Sequence, residues 1–253
     1  VRRAIPVLTY HRIRSPVRDS RDVAPETFDA HMGYLRRRGW TPLVADELVD
    51  VLDGVRPWPR RPVAVTLDDG SLDLHRDAYP VLVRHGVPAI AFVITGRAEE
   101  RSAGFVGWPE LEELAASGLV DVQSHTHHHR RDNLRLLAAG RVGEIVDDLR
   151  RSRELIARRL GRPCRHLAWP QGHWNRALLE LALAVGYRAT FTTRCGANTA
   201  DALPALHRFK VKERAVGWLA TRLLIYSWAL PATVYGALRG RRRSERWARG
   251  GAP

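Results

Sequence analysis

Lysine is nearly absent from this 253-residue chain: Lys210 and Lys212 stand alone among 41 basic residues, and the rest are arginine. So lopsided a choice, beside abundant alanine, glycine and proline, fits codon usage better than selection for phosphate contacts. It weakens the nucleic-acid reading that a net charge of +14 invites. Cysteine is scarce too. Cys164 and Cys195 are too few for a disulfide-stapled scaffold and read as free thiols. No internal repeat or low-complexity run is present, which removes collagen-like and coiled-coil architectures. Acidic residues are outnumbered, and unevenly: from Arg214 onward eight arginines face one acid, Glu245. A leader-type apolar segment is also missing after Val1-Arg2-Arg3, because the run that follows meets His11 too soon. That favours a cytoplasmic chain, or one peripheral on the cytoplasmic membrane.

What is present suffices for one large domain, with 45% of the residues hydrophobic. Short β-branched runs alternate with stretches of helical period. Strands are predicted over 6–10, 63–67, 89–94, 119–123, 166–169, 189–192 and 206–211. Helices are predicted over 25–38, 45–52, 78–84, 109–116, 143–160 and 177–185. Such alternation argues for a mostly parallel sheet covered by helices, either open or closed into a (β/α) barrel, and the strand count favours the barrel. Residues 1–212 form this domain and 213–253 a tail. In the tail, 216–238 is apolar almost all round, broken by Arg222 and Pro231, and as one helix would be about 34 Å long. Its aromatics and the arginines after it fit an anchor on a membrane surface through residues 214–249. A helix packed on the barrel and a true span are the alternatives.

Four polar clusters stand where predicted strands end: Tyr10-His11, Asp68-Asp69-Gly70, Ser124-His125-Thr126-His127-His128-His129 and Trp169-Pro170-Gln171-Gly172. In parallel α/β folds the C-terminal strand ends share one face, where active sites are built. Adjacent carboxylates leave a strand end in different directions, so one of Asp68 and Asp69 can bind a cation while the other faces a water. His125 and His129 are four apart, a spacing that on a helical turn puts both imidazoles on one face. Two histidines and a carboxylate suit Zn²⁺, with Co²⁺, Ni²⁺ or Fe²⁺ as alternatives. His127 or His128 could replace a ligand.

Thr66-Leu67-Asp68-Asp69-Gly70 and the His125–His129 cluster resemble the first two motifs of the polysaccharide deacetylases with the NodB homology domain, carbohydrate esterase family 4. The resemblance extends over about residues 4–212 and implies an irregular (β/α)₇ barrel. It implies that Asp69, His125 and His129 bind the metal and that Asp68 is the general base. The third motif keeps Pro170 and Gly172 but has Ala168 where an arginine pairs with the base, so Arg165 or Arg208 would have to supply that charge. By the same resemblance the backbone N–H at Gln171 helps hold the oxyanion, and Trp169 lines the groove and stacks on a sugar, unless it is ordinary barrel packing. The motif that supplies the general acid near the C-terminus is missing, since no histidine follows His207. Val7-Leu8-Thr9-Tyr10-His11-Arg12 instead resembles the rearranged subgroup similar to poly-N-acetylglucosamine deacetylases, which makes His11 the acid. The expected activity is metal-dependent N-deacetylation of an acetylated amino sugar in a glycan. Alternatives are a small, lipid-linked or non-carbohydrate substrate, or a degenerate barrel that only binds glycan.

Overall fold

The computed structural model describes residues 2–248, with side chains through Arg239. The chain begins with β1 (Val7–Tyr10), a small parallel pair β2 (Arg12–Ile13) and β3 (Asp22–Val23), and then α1 (Pro25–Arg37), β4 (Thr41–Pro42), α2 (Ala45–Leu52) and β5 (Pro62–Asp69). It continues with α3 (Tyr79–His85), β6 (Ala89–Val93), α4 (Thr95–Glu99), α5 (Trp108–Ala116), β7 (Val120–Ser124), α6 (Asn133–Ala138) and α7 (Val142–Leu160). The last third holds β8 (His166–Ala168), α8 (Arg176–Val185), β9 (Ala189–Phe191), β10 (Ala205–Leu206), β11 (Phe209–Lys210), α9 (Val216–Tyr226) and α10 (Ala229–Ala248).

The main sheet runs β10-β9-β8-β7-β6-β5-β1-β11, with β4 added beside β5, and every pairing is parallel. Helices cover its outer face, giving the irregular α/β barrel expected. The strand expected over 206–211 is two strands, one on each side of a seam between β10 and β11. Asn198 fills that seam. Its amide donates to the carbonyls of Ile5 (3.0 Å) and His207 (2.8 Å), and its oxygen accepts from the His207 N–H (2.8 Å).

Period-two alternation sorts each strand into an outer and an inner row. Outer residues such as Leu8, Tyr10, Val63, Val65, Leu67, Leu167 and Trp169 pack under the helices. Inner residues at the base, including Val7, Ala64, Ile90, Phe92, Ala168 and Phe191, form a second core closed by Leu48, Val49 and Leu52 of α2. Asp121, on the inner row of β7, accepts the Ala45 N–H at 3.0 Å and seats that plug. Higher up, the inner rows turn polar. β1 reads Val7-Thr9-His11 and β5 reads Ala64-Thr66-Asp68, so the same alternation that fills the base carries the chemistry to the rim.

The tail is not one helix. It breaks at Ser227–Trp228, where the Ser227 carbonyl accepts from Ala4 and the Ala229 N–H donates to Arg2. Pro231 lies in the first turn of α10, where a missing N–H costs nothing. Leu219, Leu223, Tyr226 and Ala232 belong to the outer core, and Tyr226 stacks on Phe209 with ring centroids 4.6 Å apart. No described helix is long and apolar enough to cross a membrane, which overturns the spanning alternative. Cys164 and Cys195 are free.

Candidate active site

The four polar clusters meet at one end of the barrel because every strand that carries them points the same way. Asp69 Oδ1 lies 3.3 Å from His125 Nε2 and 3.7 Å from His129 Nε2, and one ligand atom from each of the three falls within 4.8 Å of the others. The two histidines do not reach this arrangement on a helical turn, as their spacing suggested. The segment is a loop in which Thr126 (φ 66°) and His129 (φ 53°) are left-handed, as is Asp69 (φ 75°) across from them. Three non-glycine residues in that region at one site mark strain that the surroundings must hold in place.

The restraints are visible. His125 Nδ1 donates to the Ala168 carbonyl at 2.8 Å, which orients the ring and turns Nε2 toward Asp69. Thr126 Oγ1 accepts the His129 N–H at 3.0 Å, and Ser124 Oγ accepts the Thr126 N–H at 3.1 Å while meeting Ser152 Oγ at 2.7 Å. Asp148, buried on α7, accepts the N–H groups of His127 (3.2 Å) and His128 (3.0 Å), and its Oδ1 lies 2.5 Å from His128 Nδ1. His127 turns its Nδ1 to Thr95 Oγ1 at 3.0 Å. Neither His127 nor His128 joins the donor set, so the alternative ligands are ruled out. Asp148 and Ser152 were not singled out from the sequence. Their signal was there: both fall on the apolar stripe of α7 with Ile145, Leu149 and Ile156, where a polar residue needs a partner.

Asp68 is buried and held by Arg208. The guanidinium gives Nη1–H to Oδ1 at 2.6 Å and Nη2–H to Oδ2 at 2.8 Å, and further bonds to Thr66 Oγ1 (3.1 Å) and the Thr192 carbonyl (3.0 Å) fix the fork. Arg165 is excluded as the partner. It precedes β8, at the opposite end of the barrel, and pairs there with Asp46 at 3.1 Å. Arg208 follows β10 and so arrives at the rim.

Trp169 does not line the groove. It follows Leu167 on the outer row of β8 and is fully buried under the helices, so stacking on a sugar is overturned. Pro170 is buried beside it, whereas Gln171 is exposed at φ 55°. Gly172 follows at φ 70°, where a Cβ would fall 2.1 Å from Thr193 Oγ1; only glycine allows this tight passage.

The electrostatics suit a cation. Burial would raise Asp69, but the hydrogen bond from His125 and the charges of the three nearby histidines outweigh it and hold the carboxyl well below its usual range. Burial also opposes ionisation of Asp68, yet Arg208 first and then His125 and His11 keep its pKa low. Burial, helped by the charge of His125, pushes His129 down to about 4, so at neutral pH it offers a lone pair. One ionised carboxylate, Asp69, and two imidazoles, His125 and His129, converge with donor atoms within ligand reach, and these residues fit a divalent metal. His11 stands at the same mouth, lowered chiefly by burial and raised in part by Asp68 and Asp69. Ser71 Oγ lies 3.5 Å from its carbonyl oxygen.

An arginine-held carboxylate beside an Asp-His-His cluster, on the C-terminal rim of an α/β barrel, is the arrangement that the resemblance to the NodB-homology deacetylases implies. Comparison with known proteins makes this particular. The chain belongs to the polysaccharide deacetylase family, whose model matches residues 56–190. It is 30% identical over 214 residues to Bacillus subtilis (strain 168) YxkH, provisionally named a polysaccharide deacetylase, covering 84% of this chain and 73% of that protein. It is 27% identical over 141 residues to the poly-β-1,6-N-acetyl-D-glucosamine N-deacetylase of Staphylococcus aureus (strain MSSA476), covering 53% of this chain and about half (49%) of that enzyme. Among solved structures, IcaB from Ammonifex degensii superposes with a TM-score of 0.79 at 29% identity, over 87% of this chain and 97% of that one. The Streptococcus pyogenes deacetylase PplD shares the fold, with a TM-score of 0.79 at 24% identity over 87% and 98% of the two chains.

Proposed function

We propose that this chain is a metal-dependent N-deacetylase of glycans that contain N-acetylglucosamine. The observation that carries the reading is the convergence of Asp69, His125 and His129 next to an arginine-held Asp68. A divalent cation held by those three residues, Zn²⁺ by preference, would polarise the acetyl carbonyl and acidify a water.

The remaining chemistry belongs to side chains. Asp68 is the base. Its bidentate bond to Arg208 uses one lone pair on each oxygen and leaves two, so the carboxylate can still take a proton from the attacking water. A C–O bond forms at the acetyl carbon, and the backbone near Gln171 stabilises the oxygen that gains charge. His11 gives its proton to the amide nitrogen, the C–N bond breaks, and acetate leaves a free amine. The departures at Ala168 and Gln171 motivate the degenerate-barrel alternative. Against the first stands Arg208, whose guanidinium reaches Asp68 from the turn after β10, and against the second, that a backbone N–H does not depend on the side chain at 171. The name of the staphylococcal relative supports poly-β-1,6-N-acetyl-D-glucosamine as substrate.

The test couples metal analysis to acetate release from N-acetylglucosamine oligomers. Asp69→Ala should lose both bound metal and turnover, whereas Asp68→Asn should keep the metal and lose turnover. Full activity in Asp68→Asn would overturn the assignment.

A further inference from the structure

α10 meets the barrel through its smallest residues. Ala232 and Gly236 are buried four positions apart, and a Cβ at Gly236 would fall 2.3 Å from the Cys195 carbonyl oxygen, so the helix lies tight against the segment after β9. Positions two away from each of these point to the opposite side of an α-helix. They are Leu230, Val234 and Leu238, which are 70%, 51% and 54% exposed. Leu224 of α9 and Trp228 in the turn add two more exposed apolar side chains to the same hairpin. From Ala229 to Leu238 the helix carries no charged residue, although the outer face of a surface helix ordinarily does. Charge follows at once, in Arg239, Arg241, Arg242, Arg243, Arg246 and Arg249 against Glu245 alone.

The direction of the helix matters as well. The Arg222 guanidinium lies over the Tyr235 ring at 4.6 Å, and the Tyr226 and Tyr235 centroids are 5.9 Å apart. α10 therefore runs antiparallel to α9. Since β11 rises to the rim and α9 returns from it to the backbone of Arg2 and Ala4 at the base, α10 climbs back toward the rim.

We propose that α10 docks the chain in the plane of a bilayer surface that carries anionic lipid, with Leu230, Val234 and Leu238 entering the headgroup boundary and the arginines meeting lipid phosphates. Charge and apolarity together select this partner. Nucleic acid would satisfy the arginines but not the leucines. A second copy would satisfy the leucines, but it brings another +14 into the contact. An anionic bilayer satisfies both, and a helix apolar on one side and followed by base is what lies in such a surface. This inference stands apart from the deacetylase reading.

Sedimentation of the full chain with phosphatidylcholine vesicles, with and without phosphatidylglycerol, tests it. The wild type should partition onto the phosphatidylglycerol vesicles and release from them in high salt. A Leu230→Ser/Val234→Ser/Leu238→Ser variant should lose partitioning by about tenfold or more, with acetate release from soluble oligomers unchanged. Arg239→Gln/Arg241→Gln/Arg242→Gln/Arg243→Gln should lose the preference for phosphatidylglycerol. Undiminished binding by the serine variant, or binding indifferent to phosphatidylglycerol, would overturn the proposal. So would a wild-type dimer that the serine variant converts to monomer, since the stripe would then serve a second copy.

Discussion

Removing Arg208 puts the electrostatic argument at greatest risk. Its side chain is 1% exposed and that of Asp68 3%, so neither charge has water to fall back on. Arg208→Met keeps much of the side-chain volume but strips Asp68 of both its charged hydrogen bonds, and Thr66 and Thr192 of one each. Breaking one side of a buried pair costs about 3–5 kcal/mol, because the surviving charge is left uncompensated. The carboxyl will escape part of that cost by taking up a proton. Its pKa should therefore rise, at one unit for every ~1.36 kcal/mol of lost stabilisation of the carboxylate, and the acid limb of acetate release should move to higher pH with it. Arg208→Lys keeps the charge but not the planar fork, and should fall between. Urea unfolding followed by circular dichroism supplies the stabilities, with an unchanged m-value as the check on two-state behaviour. The decisive comparison is Arg208→Met/Asp68→Asn. With both charges gone, much of the lost stability should return, although the double variant has no base and no turnover. If Arg208→Met costs less than about 1 kcal/mol and leaves the acid limb in place, or if the double variant is as unstable as the two single losses added together, the pair does not hold Asp68 ionised and the reasoning fails.

Three further outcomes follow from the same geometry. Asp148→Ala should weaken metal binding by about tenfold, because the loop between His125 and His129 loses the carboxylate that accepts from His127 and His128, and Asp148→Asn should recover part of it because its single amide oxygen can still accept one of the two N–H groups; isothermal titration with Zn²⁺ reads both, and unchanged affinity in Asp148→Ala would remove its role. His11→Gln should lower the rate of acetate release by about 10²–10⁴-fold with metal content and melting temperature intact; a rate equal to wild type would dismiss it as the acid. His31, whose ring accepts from Tyr10 and reaches the Arg214 carbonyl, is lowered by burial, as is His207. The unfolded chain binds protons that these folded histidines refuse, so their contribution to stability is complete above about pH 6.5 and lost as pH falls toward their folded values. The lowered Asp68 and Asp69 act in the same direction further down, below about pH 3.9, so urea midpoints should fall from pH 7.5 to 5.5, and equal midpoints would contradict the burial argument.

The parts of the site that were legible in the sequence are those fixed by local chemistry. Asp68-Asp69-Gly70 ends a strand whose β-branched run is unmistakable, and the strand direction alone places it with His11 and His125 on one rim. α2 was read with its observed bounds because its apolar face and its acidic first turn, with Asp46 and Glu47, agree. Side-chain direction was harder. The resemblance leaves Trp169 either in the groove or in ordinary barrel packing, and only the register of β8 with β9 decides for packing, because its row faces the helices. Arg165 could have been excluded from sequence, since a residue that precedes a parallel strand stands at the wrong end of the barrel. The loop from His125 to His129 could not be read, because its conformation is imposed by Asp148 and Ser152 from a helix some twenty residues away. The break in the tail is likewise set by the backbone of Arg2 and Ala4 rather than by Pro231.

Asp68 needs a cation at a point in space, not at a point in the chain. A closed parallel barrel lets any strand that ends nearby deliver it, and here the strands flanking the seam do so. β1 brings His11 from the start of the chain, and the turn between β10 and β11 brings Arg208 from near its end, so both reach the rim around Asp68. Neither lies within residues 56–190, the span that matches the family. Those residues alone would contain Asp69, His125 and His129 but leave Asp68 buried without a partner and lack the acid proposed for the leaving nitrogen. On the proposed mechanism the smallest unit that carries out the reaction includes both sides of the seam, which Asn198 holds together by tying Ile5 to His207.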